Sequence, residues 1–344
     1  MQTVHVTEHG DPSVLKIVDT PAPEPAAGEV LVKVLAASVN HLDLWVRRGL
    51  PGLPIPLPHV PGSDGTGEIA ALGAGVEDLA VGQRVVILPG FSSGASEEDR
   101  RGDDHLSDDY GIRGEHCPGI DREYVALERR YVLPLPDGVD PVQAAAVPLV
   151  FLTAWGMLVT RAELQEGETA LVIGGASGVG SAGIQIAKDR GARVLATAGS
   201  EGKRTLAREL GADEVFDHHD PDWPKLVKQA TGGKGVEVVF EHVGPATWAG
   251  SMRCMARRGR LVTCGGTTGP KVTVLLPHLF AKNLTLMGST MGPRSAFPHI
   301  FERVAAGAFR PVIDRVLPLS QVAEAHRLLE DGEVGGKIVL TPGS

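Results

Sequence analysis

The pattern of apolar residues changes character near residue 150. Before that point, short runs with a period of two predict β-strands, as where Val30, Val32 and Val34 fall on one face. Further short strands are predicted over 65–72 and 84–88, with glycine-rich turns between them. The first part of the chain therefore indicates a β-rich domain.

After residue 150, apolar runs alternate with amphipathic segments. Strands are predicted over 170–174, 193–198, 236–241, 260–264 and 284–289. Helices are predicted over 181–190 and 203–210, each followed by a glycine. Alternation of this kind predicts a parallel sheet with right-handed crossovers. A last strand is predicted over 336–340.

Length and composition narrow the function classes. At about 100–200 residues per domain, 344 residues suggest two domains. The 33 basic and 42 acidic side chains give a formal charge of −9, which argues against nucleic acid or an anionic membrane as partner. Three scattered cysteines, Cys117, Cys254 and Cys264, predict no disulfide framework and fit a reducing compartment. We find no apolar run long enough to span a membrane and no signal-peptide pattern, and we expect a cytoplasmic protein.

The strongest local signal is the stretch GGASGVG at 174–180, where a predicted strand runs through glycines into a predicted helix. Backbone amides at the start of such a helix can face a pyrophosphate, and the helix dipole adds partial positive charge. A serine replaces the middle glycine of the usual dinucleotide fingerprint. We predict a dinucleotide site rather than a turn that binds nothing. The residues expected to contact the cofactor here are Gly174, Gly175, Ser177, Gly178, Val179 and Gly180.

The end of the second strand of this unit selects between two cofactors. An acidic residue there would accept hydrogen bonds from the ribose 2′-hydroxyl of NADH, but the segment 197–200 holds none. Ser200, Lys203 and Arg204 can hold a 2′-phosphate instead. We therefore expect NADPH rather than NADH. Glu201 argues the other way, and Lys203 and Arg204 could instead form a solvated helix face.

Motifs along the whole chain resemble the medium-chain dehydrogenase/reductase superfamily, which includes zinc alcohol dehydrogenases and zinc-free quinone oxidoreductases. The motifs are ASVNHLD at 37–43, PGSDGTG at 61–67, LTAW at 152–155, the turn at 174–180, LGADEV at 210–215, VFEHVG at 239–244 and GKIVL at 336–340. The resemblance implies an α/β protein with a GroES-like β-rich catalytic domain and a Rossmann domain with a doubly wound parallel sheet. The expected boundaries are 1–147 with 293–344 for the catalytic domain and 148–292 for the Rossmann domain. The resemblance places the active site in the cleft between them.

The same resemblance locates the positions of a catalytic zinc. The zinc branch normally uses Cys, His and Cys, and the matched motifs place Asn40, Ser63 and Leu149 at these positions. An amide, a hydroxyl and an alkyl side chain cannot replace that ligand set. Asp64 could hold a cation weakly, but one carboxylate does not make a site. We therefore expect no catalytic zinc.

The polar loop at 92–114 keeps the frame of the structural zinc lobe of that branch. Its four cysteine positions are occupied by Ser93, Ser96, Asp99 and Ser107. We therefore expect no structural zinc either. The alternative is a new metal site built from His105, His116, Cys117 and nearby aspartates, whose spacing follows no zinc-ligand pattern.

Without zinc to lower the pKa of an alcohol, hydride transfer from NADPH to a quinone or an α,β-unsaturated carbonyl is the easier reaction. Hydrogen-bond donors can stabilise the charge that develops on the substrate oxygen. We expect Asn40 and Ser63, with Asp64 beside them, to serve this chemistry; alternatively, Asn40 and Ser63 are inherited loop residues that cap the backbone. Asp43 is expected to cap a helix that begins near Leu44. Tyr110 is a candidate proton donor, with solvent as the alternative.

The resemblance implies that Thr153 touches the nicotinamide end of the cofactor. Val243 and Gly244, after the fourth Rossmann strand, are expected to line the nicotinamide ribose. The residues expected to flank the same end are Gly265, Gly266, Ser289, Thr290 and Met291. Lys337 is expected to meet the cofactor phosphates or to be solvated.

Two other functions stay open at this point, because one fold hosts many functions. One is an alcohol or aldehyde oxidoreductase with a rebuilt or weak metal site, and the other is an NADPH-binding sensor or scaffold with little turnover. The strand predicted at 284–289 resembles an edge strand that the family often pairs across a two-fold axis, so we expect a homodimer.

Overall fold

The computed structural model describes residues 1–50 and 52–343. Numbered along the chain, its strands are β1 (Gln2–Val6), β2 (Leu15–Asp19), β3 (Glu29–Val39), β4 (Asp64–Leu72), β5 (Arg84–Ile87), β6 (Gly90–Phe91), β7 (Gly111–Ile112), β8 (Tyr124–Glu128), β9 (Val132–Pro134), β10 (Thr169–Val172), β11 (Arg193–Thr197), β12 (Glu214–Phe216), β13 (Val236–Glu241), β14 (Met255–Thr263), β15 (Thr285–Gly288), β16 (Ile313–Pro318) and β17 (Lys337–Thr341). Its α-helices are α1 (His41–Arg48), α2 (Glu97–Arg101), α3 (Pro141–Ala145), α4 (Pro148–Trp155), α5 (Gly178–Asp189), α6 (Glu201–Glu209), α7 (Trp223–Ala230), α8 (Pro245–Cys254), α9 (Leu276–Lys282), α10 (Phe297–Ala305) and α11 (Val322–Glu330).

The chain forms two compact units. One comprises Met1–Leu149 and Pro293–Ser344, and the other comprises Val150–Gly292. The sequence placed these divisions after residues 147 and 292. No helix in the described part of the chain is long and apolar enough to cross a membrane.

The first unit is built on a seven-stranded sheet in the order β16-β17-β3-β4-β5-β9, with β8 also paired to β3. Val30, Val32 and Val34 are all buried, which confirms the face predicted from their period of two. The last strand, β17, runs antiparallel to β3 with Ile338 opposite Val39. This register joins the C-terminal segment to the N-terminal part of the unit in one sheet and brings the start of β17 next to the start of α1.

The second unit holds a six-stranded parallel sheet in the order β12-β11-β10-β13-β14-β15. The order reverses between β10 and β13, as in a doubly wound Rossmann sheet, and the predicted fold class is confirmed. The central residues of its strands are apolar on both faces, as expected when helices cover the sheet, and Leu171, Leu195, Val239 and Leu261 are fully buried.

Some elements differ from the sequence expectation. Helix α5 begins at Gly178 rather than at residue 181, because Ser177 caps it. Strand β14 begins at Met255 rather than at residue 260, since its first half continues past a register shift. Strand β12 was not predicted, because three residues give too short a pattern.

Candidate active site

Asn40 stands directly before α1, at the centre of a buried polar cluster in the first unit. The Asn40 backbone amide donates to Asp43 Oδ2 at 2.7 Å, and the Gly62 amide donates to Asp43 Oδ1 at 3.2 Å. Asp43 therefore does cap a helix, but from its third position, because α1 begins at His41 after Asn40 and not near Leu44. Burial raises the pKa of Asp43 to about 6.

The side chain of Asn40 uses its hydrogen-bonding groups within the protein. Its Nδ2 donates to Asp64 Oδ2 at 2.9 Å and, more weakly, to the Ser38 carbonyl at 3.4 Å, while its Oδ1 accepts a bond from Lys337 Nζ. An amide group has two protons to donate, and both point to protein acceptors here. Asn40 can therefore donate to a substrate only by giving up one of these bonds.

The hydroxyl of Ser63 is likewise already engaged in a hydrogen bond within the protein. Ser63 is fully buried, and its Oγ donates its single proton to the carbonyl oxygen of Arg113 at 2.6 Å. The geometry at Asn40 and Ser63 favours the alternative role considered above, in which both residues hold the local backbone.

Asp64 is fully buried and is surrounded by donors. Its Oδ2 accepts bonds from Asn40 and from Ser38 Oγ at 3.2 Å, and its Oδ1 accepts one from the backbone amide of Leu149 at 2.7 Å. The third expected zinc position thus contributes a backbone N–H to this carboxylate instead of a ligand.

The structure corrects the expectation for Lys337. Its side chain is 4% exposed rather than solvated, and its Nζ donates to Asp64 Oδ2 at 3.2 Å and to Asn40 Oδ1. Burial lowers the pKa of Lys337, while Asp64 and Asp43 oppose that shift. The ammonium group is bound to acceptors of its own unit, so we no longer assign it to the cofactor phosphates.

One member of the cluster escaped the sequence analysis. Asp121 is fully buried, and its Oδ1 has no hydrogen-bond partner among the described residues. Burial, together with the negative charges of Asp43 and Asp64, raises the pKa of Asp121 well above its usual value and favours the neutral acid. No local pattern marks this residue, because its neighbours come from distant segments.

The residues at the expected catalytic zinc positions do not fit a zinc ion. Oδ1 of Asn40 accepts from an ammonium group, Ser63 donates to a carbonyl, and Leu149 offers no side-chain ligand. A divalent cation at Asn40 would also face the positive charge of Lys337. Among residues 1–50 and 52–343, no group of three or more His, Cys, Asp or Glu side chains is arranged to hold a metal.

The loop at 92–114 is held by hydrogen bonds at its former cysteine positions. Asp99 Oδ2 accepts from the hydroxyl of Ser96 at 2.8 Å, and Ser107 Oγ donates to Asp109 Oδ1 at 2.5 Å. The Ser93 amide also donates to Asp109, at 2.9 Å. These side chains form a network of hydroxyls and carboxylates, which gives no support to a metal site at His105, His116 and Cys117.

Tyr110 lies in the same loop with its hydroxyl against Gly90. A Cβ built on Gly90 would lie only 2.1 Å from the Tyr110 hydroxyl oxygen. Burial and the nearby Asp104 raise the pKa of Tyr110 above its usual value, which makes the phenol a weaker acid.

In the second unit, the glycine turn has the geometry that a pyrophosphate site needs. Ser177 Oγ accepts from the Gly180 amide at 3.0 Å, and the amides of Gly178 and Val179 have no acceptor in the described part of the chain. Gly174 has φ +64°, and a Cβ on Gly180 would lie 2.2 Å from the Gly174 carbonyl oxygen. The turn therefore requires glycine and presents two free donors at the start of α5.

His242 packs against this turn and hydrogen-bonds to the backbone directly before it, a role that the sequence did not reveal. Its Nε2 donates to the Ile173 carbonyl at 2.8 Å and lies 3.3 Å from Ser177 Oγ. Burial lowers the pKa of His242 and keeps the ring neutral. The adjacent Glu241 accepts bonds from the amides of Val243 at 2.7 Å and Gly244 at 3.1 Å, which fixes the loop after β13.

At the end of β11, Ser200 caps α6 by accepting from the Lys203 amide at 3.4 Å. Arg204 is not a solvated side chain: it pairs with Glu201 at 2.8 Å and with Asp217 at 2.7 Å. Its positive charge is therefore already balanced by two carboxylates.

Two histidines missed by the sequence analysis converge on Gly199, beside the expected 2′-phosphate position. A Cβ on Gly199 would lie 2.8 Å from His218 Nε2 and 2.6 Å from His219 Nε2. Both histidines follow β12, which pairs in parallel with β11. The segments that follow two neighbouring parallel strands lie on the same side of the sheet, so the histidines lie near Gly199. The two adjacent histidines in FDHHD at 216–220 could therefore have been predicted to lie near the cofactor site, if β12 had been recognised as a strand.

The residues expected at the nicotinamide end are only partly brought together. Thr153 Oγ1 lies 3.5 Å from Met291 Sδ. Gly266 packs 3.1 Å from a Cβ built on Gly244, next to Val243. The Ser289 amide donates to the carbonyl of Thr263, whose hydroxyl donates to the Gly265 carbonyl. Thr290 is exposed.

Comparisons with known proteins agree with this architecture. A family model for the alcohol dehydrogenase GroES-like domain matches residues 26–137, and one for zinc-binding dehydrogenase matches residues 178–306. A quinone oxidoreductase of Pseudomonas aeruginosa is 34% identical, over 98% of this chain and 99% of that protein. A solved structure of an NAD-dependent alcohol dehydrogenase is 46% identical with a TM-score of 0.96, covering 100% of both chains. A crotonyl-CoA carboxylase/reductase in complex with NADP is 25% identical with a TM-score of 0.87, over 99% of this chain and 94% of that one. The chain therefore belongs to the medium-chain dehydrogenase/reductase superfamily and is an NAD(P)H-dependent oxidoreductase.

Proposed function

We propose that this oxidoreductase works without zinc and transfers hydride from NADPH to a quinone or an α,β-unsaturated carbonyl. The observation that carries the proposal is the contact between Lys337 and Asn40. The Lys337 ammonium group donates a hydrogen bond to the side-chain oxygen of Asn40, the residue at the first zinc position. A lysine side chain therefore supplies the positive charge of this cluster. A zinc-type alcohol dehydrogenase uses its metal to lower the pKa of the alcohol, whereas reduction of an activated double bond needs no such metal.

The similarity to quinone oxidoreductases supports the same reaction class. The relative from Pseudomonas aeruginosa carries that name and aligns along nearly its whole length. The alcohol dehydrogenase neighbour favours a second candidate, an alcohol or aldehyde oxidoreductase. The donor set at Asn40, Ser63 and Leu149 weighs against that candidate, because it leaves no ligand trio for a metal.

The choice of NADPH rests on the residues that follow the carboxyl ends of β11 and β12. The segment 197–200 contains no carboxylate, and His218 and His219 lie against Gly199. Ser200 follows Gly199 directly, and Lys203 lies in the first turn of α6. The engagement of Arg204 by Glu201 and Asp217 leaves fewer cations for a 2′-phosphate than the sequence suggested. The NAD-dependent neighbour makes NADH the competing cofactor.

In this proposal the protein binds and orients, and the bound cofactor supplies the hydride. The amides of Gly178 and Val179 hold the pyrophosphate at the start of α5. Asn40, Asp64 and Lys337 form a hydrogen-bonded cluster at the start of α1, in which the side chains of Asn40 and Asp64 are engaged by the ammonium group. Because Tyr110 is a weakened acid, solvent supplies the proton that completes the reduction.

We also propose that the chain forms a homodimer through the edge of the Rossmann sheet. Among the described residues, β15 pairs only with β14, so its other edge is open. Leu275, Leu276 and Phe280, at the preceding helix α9, are 69%, 64% and 69% exposed. Light scattering should give the mass of two chains, and Phe280→Ser should shift the equilibrium towards one chain.

The decisive experiment is a substrate panel with NADPH and NADH in parallel, in the presence and absence of a strong zinc chelator. We expect NADPH oxidation with quinones or enones that the chelator does not change. Metal-dependent turnover of alcohols would instead establish the second candidate. NADPH binding by fluorescence, without oxidation across the panel, would indicate a sensor or scaffold.

A further inference from the structure

A basic cavity of about 740 Å³, which is open to solvent, lies in the second unit between α7, α8 and α9. Its wall includes the segment after α7 that leads into β13, the end of α8 before β14 and the end of α9 before β15. These points mark the amino ends of the parallel strands. The glycine turn follows the carboxyl end of β10. The cavity and the turn therefore lie at opposite ends of the strands of one sheet.

The cavity wall carries an excess of positive charge. Lys225, Lys228, Arg253 and Lys282 line it, and Asp222 is its one acidic side chain. Within the described residues, none of the four cations has a carboxylate partner. Other surface cations of this unit do have one, as Lys188 does with Asp213 at 3.0 Å.

The cations lie near enough to repel one another. Partial burial and the nearby Lys228 lower the pKa of Lys282. Burial, followed by the charges of Lys282 and Lys228, also lowers the pKa of His278, which lines the same cavity. Like charges that converge on one space without a counter-charge raise the energy of the unliganded state, and an anion would lower it.

Helix capping explains only part of this charge. Lys228, Arg253 and Lys282 lie in the last turns of α7, α8 and α9, where each helix end carries about half a negative charge. Of these three cations, only Lys282 donates to a carbonyl of the described residues, that of Met255 at 2.6 Å. Lys225 lies before the last turn of α7, where no capping role applies. The helix ends and Asp222 together therefore leave the cavity positively charged.

We propose that this cavity is a second ligand site, which binds a small molecule carrying two or more phosphoryl groups. Its volume falls in the range of about 300–1,000 Å³ that is typical of small-molecule sites. Arginine and several lysines around one space suit a compact polyanion better than a single carboxylate. The site is independent of the proposed substrate and of the choice between NADPH and NADH.

The test is calorimetric titration of the full-length enzyme with pyrophosphate, ADP and citrate at low salt. Lys225→Glu/Lys228→Glu reverses two charges in the cavity, and Lys271→Glu, an exposed position of the same unit outside the cavity, is the matched control. We expect pyrophosphate or ADP to bind the wild type and the control with similar affinity. Both ligands should bind the double variant at least about tenfold more weakly. Citrate, which carries no phosphoryl group, should bind more weakly than pyrophosphate.

Two outcomes would overturn the proposal. One is equal affinity of pyrophosphate and ADP for the double variant and the control, which would place the anions elsewhere, for example at the glycine turn. The other is the absence of binding to the wild type at millimolar ligand. Lys225→Ala, which leaves the helix ends untouched, keeps the test valid should the double variant misfold: unchanged pyrophosphate affinity in a folded Lys225→Ala enzyme also counts against the site.

Discussion

Lys337 and Asn40 are 297 positions apart in the chain, yet the Lys337 ammonium group donates directly to the side-chain oxygen of Asn40. The pairing of β17 with β3 produces this contact, since Ile338 opposite Val39 leaves Lys337 level with Asn40. The same ammonium group also binds Asp64. A buried ion pair thus lies beside Asn40, the residue that sequence matching placed at the first zinc position, and its removal has predictable consequences.

Replacement of Lys337 by methionine should strongly destabilise the first unit. The change keeps an unbranched chain but leaves the carboxylate of Asp64 buried without its cation, which typically costs about 3–5 kcal/mol. Chemical denaturation at pH 7 measures this loss. The control is Lys33→Met at an exposed position of β3, which should change stability by less than about 0.5 kcal/mol. Equal effects of the two substitutions would show that the ion pair contributes nothing.

Asp121→Asn should change how stability depends on pH. The raised pKa of Asp121 means that the folded wild type holds a proton that the unfolded chain releases above its ordinary pKa near 3.8. Wild-type stability therefore falls as pH rises from about 4 towards the folded pKa, and the asparagine variant lacks this loss. Urea unfolding between pH 5 and 8 should show the variant gaining on the wild type with rising pH. Asp137→Asn, at an exposed site, is the control; parallel curves for Asp121→Asn and wild type would contradict the prediction.

Ser63→Ala should leave catalysis nearly intact. Loss of a donor to a developing oxyanion costs about 10²–10³-fold in rate, whereas Ser63 donates to the Arg113 carbonyl instead. We expect kcat/KM for an enone to stay within about threefold and stability to fall by about 1 kcal/mol. Thr66→Val, which removes a comparable bond to the Pro141 carbonyl, is the matched control. A hundredfold loss of kcat/KM in Ser63→Ala alone would restore the hydroxyl as a catalytic donor.

Lys203→Glu should weaken the preference for NADPH. The reversed charge beside the end of β11 repels a 2′-phosphate but not a 2′-hydroxyl, so the KM for NADPH should rise about tenfold while that for NADH changes little. The control is Lys234→Glu, at an exposed position of the same unit. Steady-state kinetics with both cofactors give the answer. An unchanged KM for NADPH would show that the 2′-phosphate site is wrongly assigned.

Local sequence pattern predicted much of the fold. The face formed by Val30, Val32 and Val34, the order of strands and helices after residue 150 and the glycine turn were all predictable. Each depends on residues within about twenty positions of one another, where spacing translates directly into backbone geometry. Strand β12 was lost because three residues form no period.

The site itself was less predictable. Sequence matching identified Asn40 and Ser63 as the residues at the zinc positions, but it could not show that their protons are already used by Asp64, Ser38 and Arg113. Hydrogen-bond capacity is a property of a side chain, whereas its use depends on which acceptors the fold brings near.

Identity and spacing along the chain thus sufficed to place Asn40, Ser63 and Leu149 at the matched zinc positions and to locate the glycine turn before α5, because both depend on the chemistry of adjacent or matched residues. Sheet register and strand order decided the rest: the burial of Lys337 against Asn40, the convergence of His218 and His219 on Gly199, and the orphaned carboxyl of Asp121. These contacts join segments that are far apart in sequence, so their geometry exists only once the sheets have formed.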